Sequence, residues 1–225
     1  MELNESDFLS NKEIYYMLRT KNYSKTKIKY SKSLPLLTLY KIFVLKTDVT
    51  EYKDKFDNLI NKILIEKDKK EIQKIQKQEK LFIITFNFNN ENIILIYKGL
   101  TSINDSFLNK FIESDEKYQR KRFKILPVIN SNSKILNFLS KDNRPIMLAK
   151  KTETKFVNNK NYFLISINLY KNLIIRGIIN KIKSNSKGFK FNLGFTVETK
   201  KEDNLKEELY ASITVNNLEE VYSII

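Results

Sequence analysis

The sequence predicts an α+β fold: a twisted, mostly antiparallel sheet of hairpins covered by a few helices. Short runs of β-branched and aromatic residues recur between turn-forming residues, as in strands joined by hairpins. Two other stretches, Phe107–Ile112 and Leu173–Ile182, carry apolar residues at helical spacing. With 41% apolar residues, a chain of 225 residues can bury a substantial core. The length by itself allows one domain or two.

The first part of the chain predicts three strands, a helix and a hairpin. Ile14–Tyr23 and Ile28–Tyr30 indicate short strands, and Leu34–Lys46 is long enough for a central strand. Residues 51–80 predict a charged helical insertion, whose apolar first half packs and whose lysine-rich second half is solvated. A hairpin of two apolar runs follows around Asn89–Glu91, because an asparagine-rich turn tolerates positive φ.

The middle of the chain predicts a helix and a second hairpin. Asp105 or Ser106 is placed to cap the helix at Phe107–Ile112, since a short side-chain oxygen there accepts an unpaired backbone N–H. Pro145–Lys155 and Asn161–Leu169 then predict two strands joined by a short turn.

The last part predicts an amphipathic helix followed by two strands. Leu173–Ile182 has a broad isoleucine face flanked by basic residues. Phe189–Val197 alternates as a strand, in which Gly194 suggests a bulge. Asp203–Glu208 is acidic and expected to be exposed, and Leu209–Val215 is the final strand.

The composition excludes several kinds of chemistry. Without cysteine the chain has no disulfide, thiolate nucleophile or cysteine-bound metal, and without histidine it lacks the commonest general base. Four isolated glycines give no phosphate-binding loop, and we expect no metal or other cofactor. The excess of lysine, asparagine and isoleucine indicates an AT-rich genome, for which an apicomplexan parasite is one expectation.

The net charge of +15 leaves two interpretations open. It would attract the chain to an anionic membrane or to nucleic acid, or it reflects lysine supplied by codon bias over the whole surface. No apolar run approaches the ~20 residues of a membrane span, and the N-terminus has no basic-then-apolar signal. We therefore expect a cytoplasmic protein.

Residues Phe111–Pro127, here called the charged block, join the first predicted helix to an extended segment. Glu113, Asp115 and Glu116 are candidates for general acid–base catalysis, because neighbouring carboxylates split their pKa values. Their position at a helix end, just before a run of basic residues, favours capping and salt bridges instead.

The charged block reads F-I-E-S-D-E-K-Y-Q-R-K-R-F-K-I-L-P. It resembles a block of the plant enhanced disease resistance 2 family, in the C-terminal domain, where the run is approximately F-I-x-G-D-D-x-F-R-x-x-R-F-K-L-I-P. The resemblance continues on both sides and covers nearly all of the chain, which implies a single domain over residues 1–225. Three segments match motifs near the start of the domain: Met17–Tyr23, Pro35–Leu39 and Lys46–Asp48. Further residues match motifs after the block: Pro145, Leu148, Lys150 and Asn161–Tyr162. Ser114 and Ala149 replace family glycines.

The resemblance implies a non-catalytic lipid-binding or membrane-associated regulatory module, because the plant proteins join this domain to membrane- and lipid-binding modules. The expected partner is an anionic lipid or membrane surface, with peripheral membrane association. A protein-interaction scaffold without a lipid ligand is the alternative. A nucleic-acid-binding protein would explain the charge, but no recognised motif supports it.

Two groups of residues are predicted to have specific roles, one in lipid binding and one in the structure. The basic residues around the second helix and the end of the charged block are expected to bind lipid headgroups: Lys124, Arg176, Lys181 and Lys183. Asp115 and Arg122 both match the family and are expected to form a structural ion pair. Replacing Arg122 should then be costly, and replacing Arg120 should not.

Overall fold

The computed structural model describes residues 14–21, 23–46, 56, 58–62, 80–88, 91–130, 145–173, 176–177, 190–203 and 205–215. The strands are β1 (Tyr16–Arg19), β2 (Lys29–Lys32), β3 (Thr38–Lys46), β4 (Leu81–Phe88), β5 (Glu91–Lys98), β6 (Phe123–Asn130), β7 (Glu153–Asn158), β8 (Tyr162–Asn168), β9 (Lys190–Val197) and β10 (Leu209–Val215). The helices are α1 (Tyr23–Thr26), α2 (Ser106–Glu113), α3 (Glu116–Arg122) and α4 (Leu148–Lys151), with 3-10 turns at Leu100–Ser102 and Lys201–Asp203.

These strands form three sheets. The largest has the order β3-β5-β4-β8-β7, a second has the order β10-β9-β6, and β1 pairs with β2. The pairings are antiparallel apart from the parallel pair β4–β8. The predicted α+β class with mostly antiparallel strands is confirmed, although the strands are divided among three sheets.

The predicted central strand, β3, lies at an edge of the five-stranded sheet. The β4–β5 hairpin takes the middle, because β4 also pairs in parallel with β8. The residues before β3 instead bond to the second sheet. The N–H groups of Leu36 and Leu37 donate to the carbonyls of Leu209 (2.9 Å) and Tyr210 (2.8 Å). The segment just before β3 therefore ties the two sheets together.

The main core lies between the five-stranded and three-stranded sheets. Phe195 of β9 stacks on Phe123 with ring centroids 6.3 Å apart, and it also lies 6.2 Å from Phe86 and 6.4 Å from Tyr97. Such aromatic pairs contribute about 0.5–1.5 kcal/mol each beyond the area that they bury. Helix α2 buries its apolar face in the same cluster, as its spacing predicts.

Asp105 caps α2, as predicted. One carboxylate oxygen accepts the N–H groups of Phe107 (2.8 Å) and Leu108 (3.1 Å), and the other accepts the hydroxyl of Tyr210 (2.9 Å). Such a cap contributes about 1 kcal/mol. Through Tyr210, Asp105 also fixes α2 against β10.

The opposite face of the five-stranded sheet is covered by helical residues 56 and 58–62. Phe56 and Ile60 are buried there among Ile83, Ile94 and Ile96. This agrees with the packed first half of the predicted insertion. Most of residues 51–80 lie outside the described residues.

The second hairpin is shorter than predicted. Strand β7 begins at Glu153, and the residues before it form a bridge between Ile146 and Ile125 and then helix α4. The N–H and hydroxyl of Thr152 both donate to the carbonyl of Leu148 (2.9 and 2.8 Å), which ends the helix before the strand starts.

Gly194 serves close packing and not a bulge. Its register with Ser212 and Leu126 is regular, and the shift in this sheet lies at Leu209–Ala211. A Cβ atom at Gly194 would lie 2.7 Å from the ring of Tyr16. Glycine is required here because β1 crosses the sheet at this point.

Candidate functional site

The charged block folds as α2, a tight turn, α3 and β6. Asp115 caps α3 by accepting the N–H of Tyr118 at 2.7 Å. Gln119 is buried and donates to the carbonyls of Phe111 (3.0 Å) and Ile112 (3.2 Å), two of the carbonyls at the end of α2 that have no acceptor role within the helix. The side-chain amide of Asn158 also donates to the carbonyl of Ile112 at 3.3 Å. The turn between the two helices is therefore fixed by uncharged and capping contacts.

The expected ion pair between Asp115 and Arg122 is not formed. Asp115 is used at the start of α3, and Arg122 lies two turns later, roughly 10 Å along the axis. The guanidinium of Arg122 pairs with Asp203, whose side chain is 3% exposed, and with Glu202 at 3.2 Å. It also donates to the carbonyl of Glu198 at 2.9 Å. Arg122 thus holds the turn after β9.

Arg120 is also structural, contrary to the expectation that its replacement would have little effect. Its guanidinium donates to the carbonyls of Ala149 (3.1 Å), Thr152 (3.2 Å) and Thr154. It pairs as well with Glu116 at 2.6 Å. Arg120 thereby fixes α4 and the start of β7 against α3.

A charge network lies where β1 crosses the three-stranded sheet. We call it the buried charge network because its central pair, Lys124 and Glu207, is buried, whereas Arg19 and Glu198 are partly exposed at its edge. Its members are Arg19, Lys124, Glu198 and Glu207. The ammonium of Lys124 lies 2.5 Å from Glu207 Oε1 and 3.4 Å from Glu198 Oε1, and Arg19 Nη1 lies 2.5 Å from Glu198 Oε1. Two positive charges therefore balance two negative ones.

This network corrects two expectations. Lys124 is 2% exposed, so its ammonium does not have access to a lipid headgroup. Burial lowers the pKa of Lys124, and the carboxylates of Glu207 and Glu198 oppose that shift. The segment Asp203–Glu208 is acidic but not uniformly exposed, because the side chains of Asp203 and Glu207 are buried against Arg122 and Lys124.

A second group of basic residues faces solvent around a cavity of about 640 Å³ between α3 and α4. We call it the basic cavity. Its lining includes four exposed lysines from three segments: Lys117, Lys121, Lys150 and Lys200. Arg120 and Glu116 line it as a pair, and Ala149 completes it. Within the part of the chain that the structure describes, none of the four ammonium groups has an acidic partner.

The walls of the basic cavity are held by the arginines described above. Arg120 fixes the helix that carries Lys150. The turn that carries Lys200 is closed by Asp203, whose carboxylate accepts the N–H of Lys200 at 2.8 Å and pairs with Arg122. The N–H of Glu198 also donates to the carbonyl of Arg122 at 2.7 Å. The lysine backbones therefore have fixed relative positions.

Exposed apolar residues adjoin α4. Tyr170 is 41% exposed and Leu173 is 70% exposed. The side-chain amide of Asn172, between them, donates to the carbonyl of Lys151 at 2.9 Å, which places this segment beside α4. The guanidinium of Arg176 lies 5.2 Å from the centre of the Tyr170 ring.

Of the four residues expected to bind headgroups, only Arg176 has a described and accessible position. Lys181 and Lys183 lie outside the described residues, as does most of the predicted helix Leu173–Ile182. The lysines of the basic cavity were not singled out from the sequence. The spacing of Lys117 and Lys121, four residues apart on one helix face, was an available signal.

The described residues hold no group of three or more acidic side chains placed to bind a metal ion. They also include no helix that is long and apolar enough to cross a membrane.

These features define an α+β domain built around a capped helix–turn–helix–strand block. The family model for the C-terminal region of Protein ENHANCED DISEASE RESISTANCE 2 matches residues 10–219, which is nearly the whole chain. The chain therefore belongs to this family, as its motifs suggest. No solved structure matches the chain.

Proposed function

We propose that this domain is a non-catalytic module that associates with membranes by binding anionic lipid headgroups. The observation that carries the proposal is the basic cavity. It brings four exposed lysines to one side of the fold, and none of them has an acidic partner among the described residues, whereas the buried Lys124 is paired with Glu207. Positive charge collected in this way attracts an anionic surface.

The exposed apolar residues beside α4 also favour contact between this part of the fold and a membrane. Leu173 and Tyr170 project next to the helix that carries Lys150. An exposed leucine and an amphipathic tyrosine beside a basic patch are suited to the membrane interface, where an apolar body enters the acyl boundary and cations meet headgroups. Arg176, close to Tyr170, adds a further cation.

Each lysine near an anionic leaflet is worth about 1 kcal/mol, so four contribute about 4 kcal/mol, or roughly a thousandfold in membrane partitioning. This electrostatic part weakens as salt rises, because the Debye length falls to about 3 Å at 1 M. Burial of one leucine adds about 1.5–3 kcal/mol that does not depend on salt in this way.

Co-sedimentation with vesicles tests the proposal. Wild-type protein should bind vesicles containing phosphatidylserine at low salt and should bind neutral vesicles far more weakly. The cavity variant replaces with glutamine Lys117, Lys121, Lys150 and Lys200. The control variant replaces with glutamine four exposed lysines outside the cavity: Lys21, Lys25, Lys155 and Lys160. Both lose the same charge, and only the cavity variant should lose most binding.

Leu173→Ser tests the apolar contribution. Its matched control is Leu34→Ser, since Leu34 is exposed to a similar degree (74%) but precedes β3. Leu173→Ser should weaken vesicle binding by about tenfold or more, and Leu34→Ser should not. If wild-type protein ignores anionic vesicles at low salt, the membrane proposal fails and the scaffold alternative replaces it. Tighter binding to RNA than to any vesicle would favour a nucleic-acid-binding protein.

A further inference from the structure

We infer that the basic cavity is a defined binding site for a compact anion that carries several phosphate groups, such as an inositol-phosphate headgroup. The inference rests on the proposed function for the location of the site and deepens it by naming the ligand class. A membrane-binding surface needs only accumulated charge. A ligand site requires cations that converge on one volume from fixed positions.

The convergence is visible in how the lysines are distributed. Lys117 and Lys121 come from α3, Lys150 comes from α4, and Lys200 comes from the turn after β9. Three segments that are distant in sequence therefore line one open cavity. A single carboxylate or phosphate group would meet only part of this set. An anion with several phosphates around a small ring can contact lysines from all three segments at once.

The charge of the cavity also matches such a ligand. The single acidic residue in its lining, Glu116, is already paired with Arg120, so four positive charges remain unbalanced. Like charges held around one concavity repel one another, and a multivalent anion removes that repulsion as it binds. Lysine is also a common phosphate ligand, because its ammonium is a compact point charge with three donors.

The scaffold and the size fit the same ligand. Three backbone carbonyls bonded to Arg120 fix α4, and Arg122 with Asp203 fixes the turn of Lys200, so the lysine backbones need no rearrangement on binding. Such preorganisation lowers the entropic cost of binding. The volume of about 640 Å³ falls within the roughly 300–1,000 Å³ of small-molecule sites.

Titration calorimetry with inositol hexakisphosphate, at physiological salt, tests the site without a membrane. Wild-type protein should bind one equivalent and should melt at a higher temperature in its presence. Loss of charged hydrogen bonds in the cavity variant should weaken binding by about a hundredfold or more. The control variant should stay within about threefold of wild type, because charge outside the cavity acts only through screened attraction. Inorganic phosphate should bind wild type far more weakly than the hexakisphosphate.

Vesicles then identify the source of the phosphates. A lipid-borne ligand predicts stronger binding to phosphatidylinositol bisphosphate than to phosphatidylserine at equal surface charge. Binding to the soluble hexakisphosphate without that preference identifies a free inositol phosphate as the ligand, and the site still stands. The inference is overturned if the cavity and control variants lose equal affinity for the hexakisphosphate, or if wild type does not bind it. The proposed membrane association survives that result, whereas it fails on its own if no anionic vesicle is bound.

Discussion

The buried charge network and the basic cavity both use lysines of the charged block, yet the two regions differ in almost every physical respect. Lys124 lies at the beginning of β6, 2% exposed and 2.5 Å from a carboxylate. Lys117 and Lys121 lie on α3 just before it, exposed and without acidic partners among the described residues. Lys124 therefore stabilises the fold, whereas the nearby Lys117 and Lys121 are available to bind a ligand.

The difference comes from what covers each position. Along β6, Phe123 and Ile125 face the main core, so Lys124 and Leu126 face the other side of the three-stranded sheet. Strand β1 covers that side, where Tyr16 and Leu18 pack against Leu126, and β1 brings Arg19 with it. On α3, by contrast, Lys117 and Lys121 are exposed, and no described segment covers them. A match to a family motif therefore does not tell whether a lysine binds a ligand or holds the structure.

Removing one partner of the buried charge network should have the largest effect on stability. Lys124→Met leaves the buried carboxylate of Glu207 without its closest cation. Arg19 Nε stays 3.8 Å from Glu207, but the network is left with one excess negative charge. Removing one partner of a buried ion pair costs up to about 3–5 kcal/mol in the free energy of unfolding, measured by urea denaturation. Adding Glu207→Gln to Lys124→Met should recover part of the loss, because the excess negative charge of the network is gone.

Lys124→Met also tests whether the buried charge network and the basic cavity have separate roles. At a temperature where it remains folded, Lys124→Met should bind inositol hexakisphosphate as wild type does. A large loss of affinity with little loss of stability would show that Lys124 belongs to the ligand site. The buried charge network would then not be purely structural.

Arg120→Ala should have the next largest effect, because Arg120 connects the fold to the wall of the basic cavity. The substitution removes charged hydrogen bonds to three backbone carbonyls. A buried bond of this kind contributes at most about 1.5–3 kcal/mol to the free energy of unfolding. Because Arg120 is partly exposed, we expect a total loss of about 2–3 kcal/mol. Ligand affinity should fall as α4 loosens. Arg120→Lys keeps the charge but not the fork of donors, so it should lose stability as well.

A small effect of Arg120→Ala, beside a large effect of Arg122→Ala, would instead restore the expectation drawn from the sequence. Hydrogen exchange at α4 provides the local check. Amides of Leu148–Lys151 should exchange faster in Arg120→Ala than in wild type.

Local sequence patterns predicted most elements of this fold. Helix α2 and its Asp105 cap follow from apolar spacing and capping chemistry, and β4, β5, β9 and β10 follow from apolar runs. Strand neighbours were less predictable. The parallel pair β4–β8 joins segments that are far apart in sequence. No residue pattern within β4 or β8 indicates that they pair and leave β3 at the edge of the sheet.

The site was less predictable than the fold, because its residues meet only in three dimensions. Lys150 and Lys200 lie on segments that Arg120 and Arg122 bring to α3. In the sequence these arginines look like two more members of a basic run. Asp203 and Glu207 similarly look like part of an exposed acidic loop, although each neutralises a buried cation.

Tyr30→Phe should disturb the edge of the buried charge network by a smaller amount. The hydroxyl of Tyr30 donates to the carbonyl of Glu207, and its loss should cost about 1 kcal/mol at neutral pH. Burial raises the pKa of Tyr30, and the carboxylates of Glu208 and Glu207 raise it further.

The raised pKa of Tyr30 fixes the sign of its pH dependence. The stabilising contribution is complete below the unfolded-state pKa of about 10 and is lost as pH rises above it. Wild type should therefore lose stability more steeply than Tyr30→Phe above that pH. If the free energy of unfolding of the two proteins, from urea denaturation, falls equally with pH across this range, Tyr30 makes no such contribution. At neutral pH, Tyr30→Phe should leave ligand affinity unchanged.

The cavity variant should have the smallest effect on stability, although it should have the largest effect on binding. Exposed substitutions away from specific contacts usually change the free energy of unfolding by less than about 0.5 kcal/mol. At low salt the cavity variant should even be slightly more stable than the control variant, because it removes lysines that repel one another around one concavity and the control variant removes dispersed ones. That difference should vanish at about 1 M salt, where the Debye length is about 3 Å. If the cavity variant instead loses as much stability as Lys124→Met, its lysines support the fold, and the basic cavity is a second structural network.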